Sequence, residues 1–138
     1  MVANVIVDIE PFIILTMGLN LPLHGFFHSF MGGTIISFTL FFVMMRIRKF
    51  LEGLMGFFNL EQSWSQKSIL ASALSGVYLH IVLDSRLYTD IKPFFPSTWN
   101  PFFSDRMISS YFEVYGFCVL SALVGIILFI FKIIKDRK

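Results

Sequence analysis

The chain has 138 residues, of which 56% are hydrophobic and 14% are charged, and its formal net charge is +2. A soluble globular domain carries about 25% charged residues, and a short domain leaves much of its surface in water. The composition therefore excludes an ordinary soluble domain and predicts one compact membrane domain over residues 1–138. The small net charge disfavours nucleic acid as a partner, whereas membrane lipids are the expected surroundings.

Three apolar stretches reach or approach the length of about 20 residues that a helix needs to cross the hydrocarbon core. They are residues 26–45, 68–84 and 111–131. A fourth apolar segment, about residues 2–21, contains Asp8, Glu10 and Pro11 and fits a tilted helix, a re-entrant element or an incomplete span. We therefore predict an all-α integral membrane bundle of three transmembrane helices, with a fourth N-terminal or re-entrant helix as an open alternative.

Lysine and arginine predict the orientation of these helices, because both residues are enriched in cytoplasmic loops. Eight of them lie at one set of helix ends: Arg46, Arg48, Lys49, Lys67, Lys132, Lys135, Arg137 and Lys138. Three lie at the other set: Arg86, Lys92 and Arg106. This bias predicts a cytoplasmic C-terminus and an outer loop over residues 85–110. The cytoplasmic membrane is the expected location.

The three histidines of the chain form two pairs with helical spacing. His24 and His28 are four residues apart at the start of the first predicted span, and His80 and Asp84 are four apart at the end of the second. Residues at i and i+4 lie on one face of a helix, so each pair can present two side chains toward one point. The orientation derived from lysine and arginine places both pairs at the outer face of the membrane.

These residue types are suited to binding a divalent metal ion. Imidazole nitrogens and carboxylate oxygens suit zinc, manganese or iron, and ionisable groups at membrane depth normally need a partner. Asp8 and Glu10 precede the first histidine by a short connection and could reach the same place. The sequence predicts a metal site, best suited to zinc, with His24, His28, His80 and Asp84 as its main ligands. Asp8 or Glu10 would complete the site or act as general base.

Four short motifs resemble a known family. They are Val-Asp-Ile-Glu at residues 7–10, His-Gly-Phe-Phe-His-Ser at 24–29, His-Ile-Val-Leu-Asp at 80–84 and a Pro-Phe-rich run at 92–104. In order and spacing they resemble the membrane-bound metal-dependent hydrolases of the YdjM type. The resemblance implies that the same six side chains hold a metal and that the chain is a hydrolase. Three positions depart from the family pattern: Glu10 in place of Asp, Gly25 in place of Arg and Phe27 in place of Thr.

The leading hypothesis is therefore a metal-dependent hydrolase at the outer membrane-water boundary, acting on a lipid or a lipid-linked phosphate. Only the location of the site indicates that substrate. The main alternative is a non-enzymatic membrane subunit in which the cluster binds a structural metal or forms a polar packing network. Such a small chain could also work as a homo-oligomer or within a larger membrane complex. A transporter or proton relay fits less well, because the polar groups do not continue toward the cytoplasmic side.

Overall fold

A computed structural model of the chain describes residues 5–57 and 65–136, and these residues are helical wherever they form regular structure. The described part contains a short 3-10 helix, Phe26–His28, and four α-helices. The α-helices are α1 (Ile9–Thr16), α2 (Phe30–Phe57), α3 (Gln66–Ser85) and α4 (Met107–Asp136). The prediction of an all-α fold is confirmed.

Three of these helices are long and apolar enough to cross a membrane: α2, α3 and the part of α4 from Met107 to Ile134. At 1.5 Å per residue, α2 is about 42 Å long and α3 about 30 Å. The hydrocarbon core of a bilayer is about 30 Å thick, so both helices can span it. The prediction of a membrane protein with three transmembrane helices is confirmed.

The N-terminal apolar segment contains a short helix. With eight residues, α1 is about 12 Å long and does not reach across the hydrocarbon core. Pro11 lies in its first turn, where the missing N–H costs no hydrogen bond. Beyond the helix, Gly18 has a φ of +61°, a left-handed conformation that glycine adopts without strain. Residues 2–4 of the predicted segment lie outside the described residues.

Helices α2 and α3 pack closely as an antiparallel pair. A Cβ atom added to Gly33 would lie 2.7 Å from side-chain carbons of Val77 and Ile81. One turn further along α2, the hydroxyl oxygen of Ser37 lies 3.4 Å from the carbonyl oxygen of Ala73. Residue numbers rise along α2 as they fall along α3, so the first turn of α2 lies beside the last turns of α3.

A small hydrophobic core attaches the N-terminal segment to this pair. Val7, Val77 and Ile81 are fully buried against one another, and four partly buried side chains pack around them: Ile6, Phe30, Ile36 and Tyr78. Complete burial of a valine side chain stabilises a fold by roughly 1.5–3 kcal/mol. Because Asp8 directly follows Val7, this burial holds Asp8 beside α3.

The segment that follows α3 is irregular but is held in place by backbone and side-chain hydrogen bonds. The Phe30 N–H at the start of α2 donates to the Pro93 carbonyl oxygen at 2.9 Å. The Asn100 side-chain amide donates to the Ser85 carbonyl oxygen at the end of α3, also at 2.9 Å. Ile91 is fully buried. These contacts place the residues around position 90 near the first turn of α2.

The chain divides into two compact units, Met1–Phe103 and Ser104–Lys138. The first contains α1, α2 and α3, and α4 makes up most of the second. The part of α4 from Met107 to Ile134 is strongly apolar, as suits a helix that crosses a bilayer. That residues 1–138 form one membrane domain stays a prediction.

Candidate metal site

Four side chains of the first unit meet at the ends of α2 and α3. Asp8, His28, His80 and Asp84 each offer one ligand atom, and these atoms all lie within 4.8 Å of one another. The Nε2 atom of His80 lies 3.1 Å from Asp8 Oδ1 and 3.3 Å from Asp84 Oδ2, and His28 Nε2 lies 3.7 Å from Asp8 Oδ1. Two imidazoles and two carboxylates at this spacing could hold a metal ion. We call these four residues the metal group.

Three separate parts of the chain supply the metal group. Asp8 comes from the turn before α1, His28 is the last residue of the 3-10 helix, and His80 and Asp84 lie one turn apart near the end of α3. The helical spacing predicted for His80 and Asp84 is confirmed. Both side chains project from one face of α3, which explains their short separation.

The same spacing argument was wrong for His24 and His28. These residues precede α2, which begins only at Phe30, and His24 lies in an irregular stretch before the 3-10 helix. Helix α2 begins only after Ser29 because the Ser29 backbone is extended, with φ −115° and ψ 156°. Its hydroxyl accepts a hydrogen bond from the Gly32 N–H at 3.0 Å, an N-cap contact that starts α2 after Ser29.

His28 is fully buried, and neither of its ring nitrogens has a hydrogen-bond partner among the described residues. Buried polar atoms are normally hydrogen-bonded, and leaving one without a partner costs about 1–3 kcal/mol. Burial lowers the pKa of His28 to about 3, so its ring is neutral at physiological pH. Neutral imidazole is the form that binds metals. The donor set and the unpartnered nitrogen both fit a metal ion at this position.

Glu10 lies behind His28, outside the metal group. Its Oε2 atom accepts hydrogen bonds from the backbone N–H groups of Gly25 and Phe27, both at 3.2 Å, and lies 3.5 Å from His28 Nδ1. Burial raises the pKa of Glu10 above its ordinary value, although these hydrogen bonds oppose the shift. A Cβ atom at Gly25 would overlap Glu10 Oε1, so a larger residue there would displace the carboxylate from this position. That Glu10 is a ligand or a base stays a prediction.

His24 is paired with Asp90 and also lies outside the metal group. Its Nδ1 atom is 3.0 Å from both carboxylate oxygens of Asp90, and its backbone N–H donates to Asp90 Oδ2 at 3.1 Å. Burial raises the pKa of Asp90, but the hydrogen bonds from His24 outweigh that effect and lower it below its ordinary value. The His24 ring packs edge-on against His28, with centroids 4.7 Å apart. That His24 is a ligand stays a prediction.

Sequence reasoning missed Asp90. The residue lies 66 positions from its partner His24, in a segment without helical or strand periodicity. The only signal was an acidic side chain in the predicted outer loop, six residues after Asp84. A spacing argument needs regular structure, so it could not find this pair.

No protein-family model, no curated protein and no solved structure matches the chain. The resemblance to membrane-bound metal-dependent hydrolases therefore stays a prediction.

Proposed function

We propose that this membrane protein is a metal-dependent hydrolase that acts on a lipid or lipid-linked phosphate at the outer boundary of the cytoplasmic membrane. The observation that carries the proposal is the metal group, whose four ligand atoms lie within 4.8 Å of one another. Imidazole nitrogen and carboxylate oxygen suit zinc best, and manganese or iron also accept this donor set.

Three members of the metal group serve as ligands: His28, His80 and Asp84. Catalytic zinc sites have three protein ligands and keep a fourth position open. Asp8 then acts as the general base. Its side chain is 50% exposed, whereas that of His28 is completely buried, so Asp8 borders the side from which water can approach. When bound, the ion supplies Lewis-acid chemistry and lowers the pKa of a water molecule toward about 7.

Two further carboxylates position the histidines. Glu10 lies beside the Nδ1 atom of His28, and Asp90 holds the Nδ1 atom of His24. A carboxylate on the far ring nitrogen fixes the orientation of a metal-binding histidine and raises its basicity. Glu10 would take this role for His28 once Nε2 holds the ion, and Asp90 orients His24, which is not a proposed ligand, at the edge of the site.

The position of the metal group supports a substrate held in the membrane. His28 lies two residues before α2, and Asp84 is one residue from the end of α3. Both helices are long enough to span, so the group lies where a spanning pair leaves the hydrocarbon core. Lipid phosphates carry their reactive ester bonds at this depth, and the distribution of lysine and arginine favours the outer side.

Metal analysis of purified protein tests the proposal. The wild-type protein should carry one equivalent of a divalent metal, and His28→Ala and His80→Ala should each retain less than a tenth of it. His24→Ala is the matched control, because His24 lies outside the metal group, and it should retain the metal. A metal-free wild type, or full retention in His28→Ala, contradicts the proposal.

Phosphate release from phosphatidic acid distinguishes an enzyme from a subunit with a structural metal. The metal-loaded wild type should release phosphate, and His80→Ala should not. A fully metal-loaded protein that hydrolyses neither phosphatidic acid nor lipid-linked diphosphates would favour the structural role.

A further inference from the structure

An apolar groove of about 440 Å³ lies beside Glu10 in the first unit. Its walls include Ile13 of α1, Leu19 and Leu21 of the following irregular stretch, and Ile36 of α2. Among the residues that the structure describes, Glu10 is the only charged one that lines it. None of the catalytic or ligand roles proposed above uses this groove.

We propose that the groove binds one hydrocarbon chain of a membrane lipid whose phosphate head group lies at the metal group. The inference rests on the proposed function, because it assigns the lipid tail of the same substrate. It adds a binding site and a requirement: the substrate must carry a long apolar chain.

A single imidazole ring separates the groove from the metal group. Glu10 lines the groove and its Oε2 atom lies 3.5 Å from His28 Nδ1. On the other side of the same ring, His28 Nε2 lies 3.7 Å from Asp8 Oδ1 of the metal group. Phe27, which precedes His28 in the chain, also lines the groove. The groove and the metal group therefore lie on opposite sides of one ring, a separation much shorter than a lipid molecule.

The size of the groove favours a hydrocarbon chain over a helix of a partner protein. Its volume falls within the range of about 300–1,000 Å³ that is usual for small-molecule sites. A helix about 10 Å across fills roughly 420 Å³ with each 5.4 Å turn, so the groove would hold one turn. A flexible chain of methylene groups can fill the same volume along its length.

Charge also determines which end of the lipid lies in the groove. The Glu10 carboxylate repels a phosphate from the groove, while its Oε2 atom is occupied by the N–H groups of Gly25 and Phe27. A divalent ion at the metal group attracts the phosphate instead. The lipid therefore binds with its tail in the groove and its head group at the metal.

Photolabelling tests the groove directly. The probe is phosphatidic acid with a diazirine in one acyl chain, in phosphatidylcholine nanodiscs that contain the full chain. Ile13→Trp fills the groove, and Leu15→Trp is the matched control, since Leu15 is an exposed residue of the same helix that does not line it. We expect Ile13→Trp to reduce labelling of residues 6–21 at least fivefold and Leu15→Trp to leave it unchanged.

Competition with unlabelled molecules and a second variant that fills the groove complete the test. Unlabelled phosphatidic acid should displace the probe, and glycerol phosphate, which has no hydrocarbon chain, should not. Leu21→Trp should reproduce the loss seen with Ile13→Trp, and thermal unfolding midpoints close to that of the wild type show that both variants fold. Equal labelling of all variants overturns the proposal, as does displacement of the probe by glycerol phosphate.

Photolabelling does not require hydrolysis of the probe, so the groove proposal and the hydrolase proposal can fail separately. Selective labelling of a protein that binds no metal and hydrolyses no lipid phosphate would contradict the proposed hydrolase function and support the proposed lipid-binding groove. Intact hydrolysis of lipid phosphate, together with equal photolabelling of Ile13→Trp and Leu15→Trp, would contradict the proposed groove and support the proposed hydrolase function.

Discussion

His28 connects the parts of the site, because each edge of its ring meets a different group. Nε2 lies 3.7 Å from Asp8, Nδ1 lies 3.5 Å from Glu10, and the ring packs against His24. Its complete burial favours the neutral imidazole, and neither ring nitrogen has a hydrogen-bond partner among the described residues. A metal ion would supply the missing partner for Nε2.

Asp8 and Asp84 can be distinguished by one conservative change at each position. Asp8→Asn should retain the metal but lose catalysis by about 100- to 10,000-fold, the usual contribution of a general base. Asp84→Asn should lose the metal itself, because Asp84 is proposed as a ligand. Metal content and initial rate, measured on the same preparations, check both expectations. Equal loss of metal in the two variants would show that Asp8 is a ligand.

At the scale of helices, the close approach of α2 and α3 depends on Gly33. The hydroxyl groups of Thr34 and Tyr78 meet at 2.7 Å in the next position along the same interface. The side chains of Val77 and Ile81 already occupy the space where a larger residue at position 33 would lie. The interface therefore has little tolerance for added volume.

Gly33→Val should destabilise the protein by about 1–3 kcal/mol, the usual effect of overfilling a packed interface. Gly53→Val is the matched control, since Gly53 lies in the same helix and a Cβ atom there would meet nothing within 4 Å. Thermal unfolding in detergent compares the two variants. A lower midpoint for Gly53→Val than for Gly33→Val would contradict the packing described here.

How much the sequence revealed depended on whether regular structure surrounded the residues. The apolar pattern predicted three spanning helices, and helical spacing correctly paired His80 with Asp84 because both lie within α3. The same spacing misled at His24 and His28, where Ser29 delays the start of the helix. The contact of His24 with Asp90 depends on tertiary folding of an irregular loop, which no local pattern encodes.

At the scale of the whole molecule, orientation in the membrane decides which compartment the metal group faces. Arg46, Arg48 and Lys49 lie in the second half of α2, whereas His28 precedes its first turn. Lysine and arginine favour the cytoplasmic side, so this arrangement predicts that the metal group faces outward.

Cysteine labelling tests this orientation in cells. In a Cys118→Ser background, which removes the single native cysteine, Lys92→Cys should react with an impermeant maleimide in intact cells. Lys49→Cys should react only after the membrane is permeabilised. The background without an engineered cysteine should stay unlabelled. Labelling of both positions from the same side would contradict the predicted topology.

The antiparallel register of α2 and α3 also limits how far these helices can slide. One helical turn is about 5.4 Å long, which exceeds the 4.8 Å within which the four ligand atoms meet. A slip of a single turn would carry His80 and Asp84 away from Asp8 and His28. Residues such as Gly33 and Val77 therefore help to hold the four ligand atoms together, although neither has a side chain that can coordinate a metal.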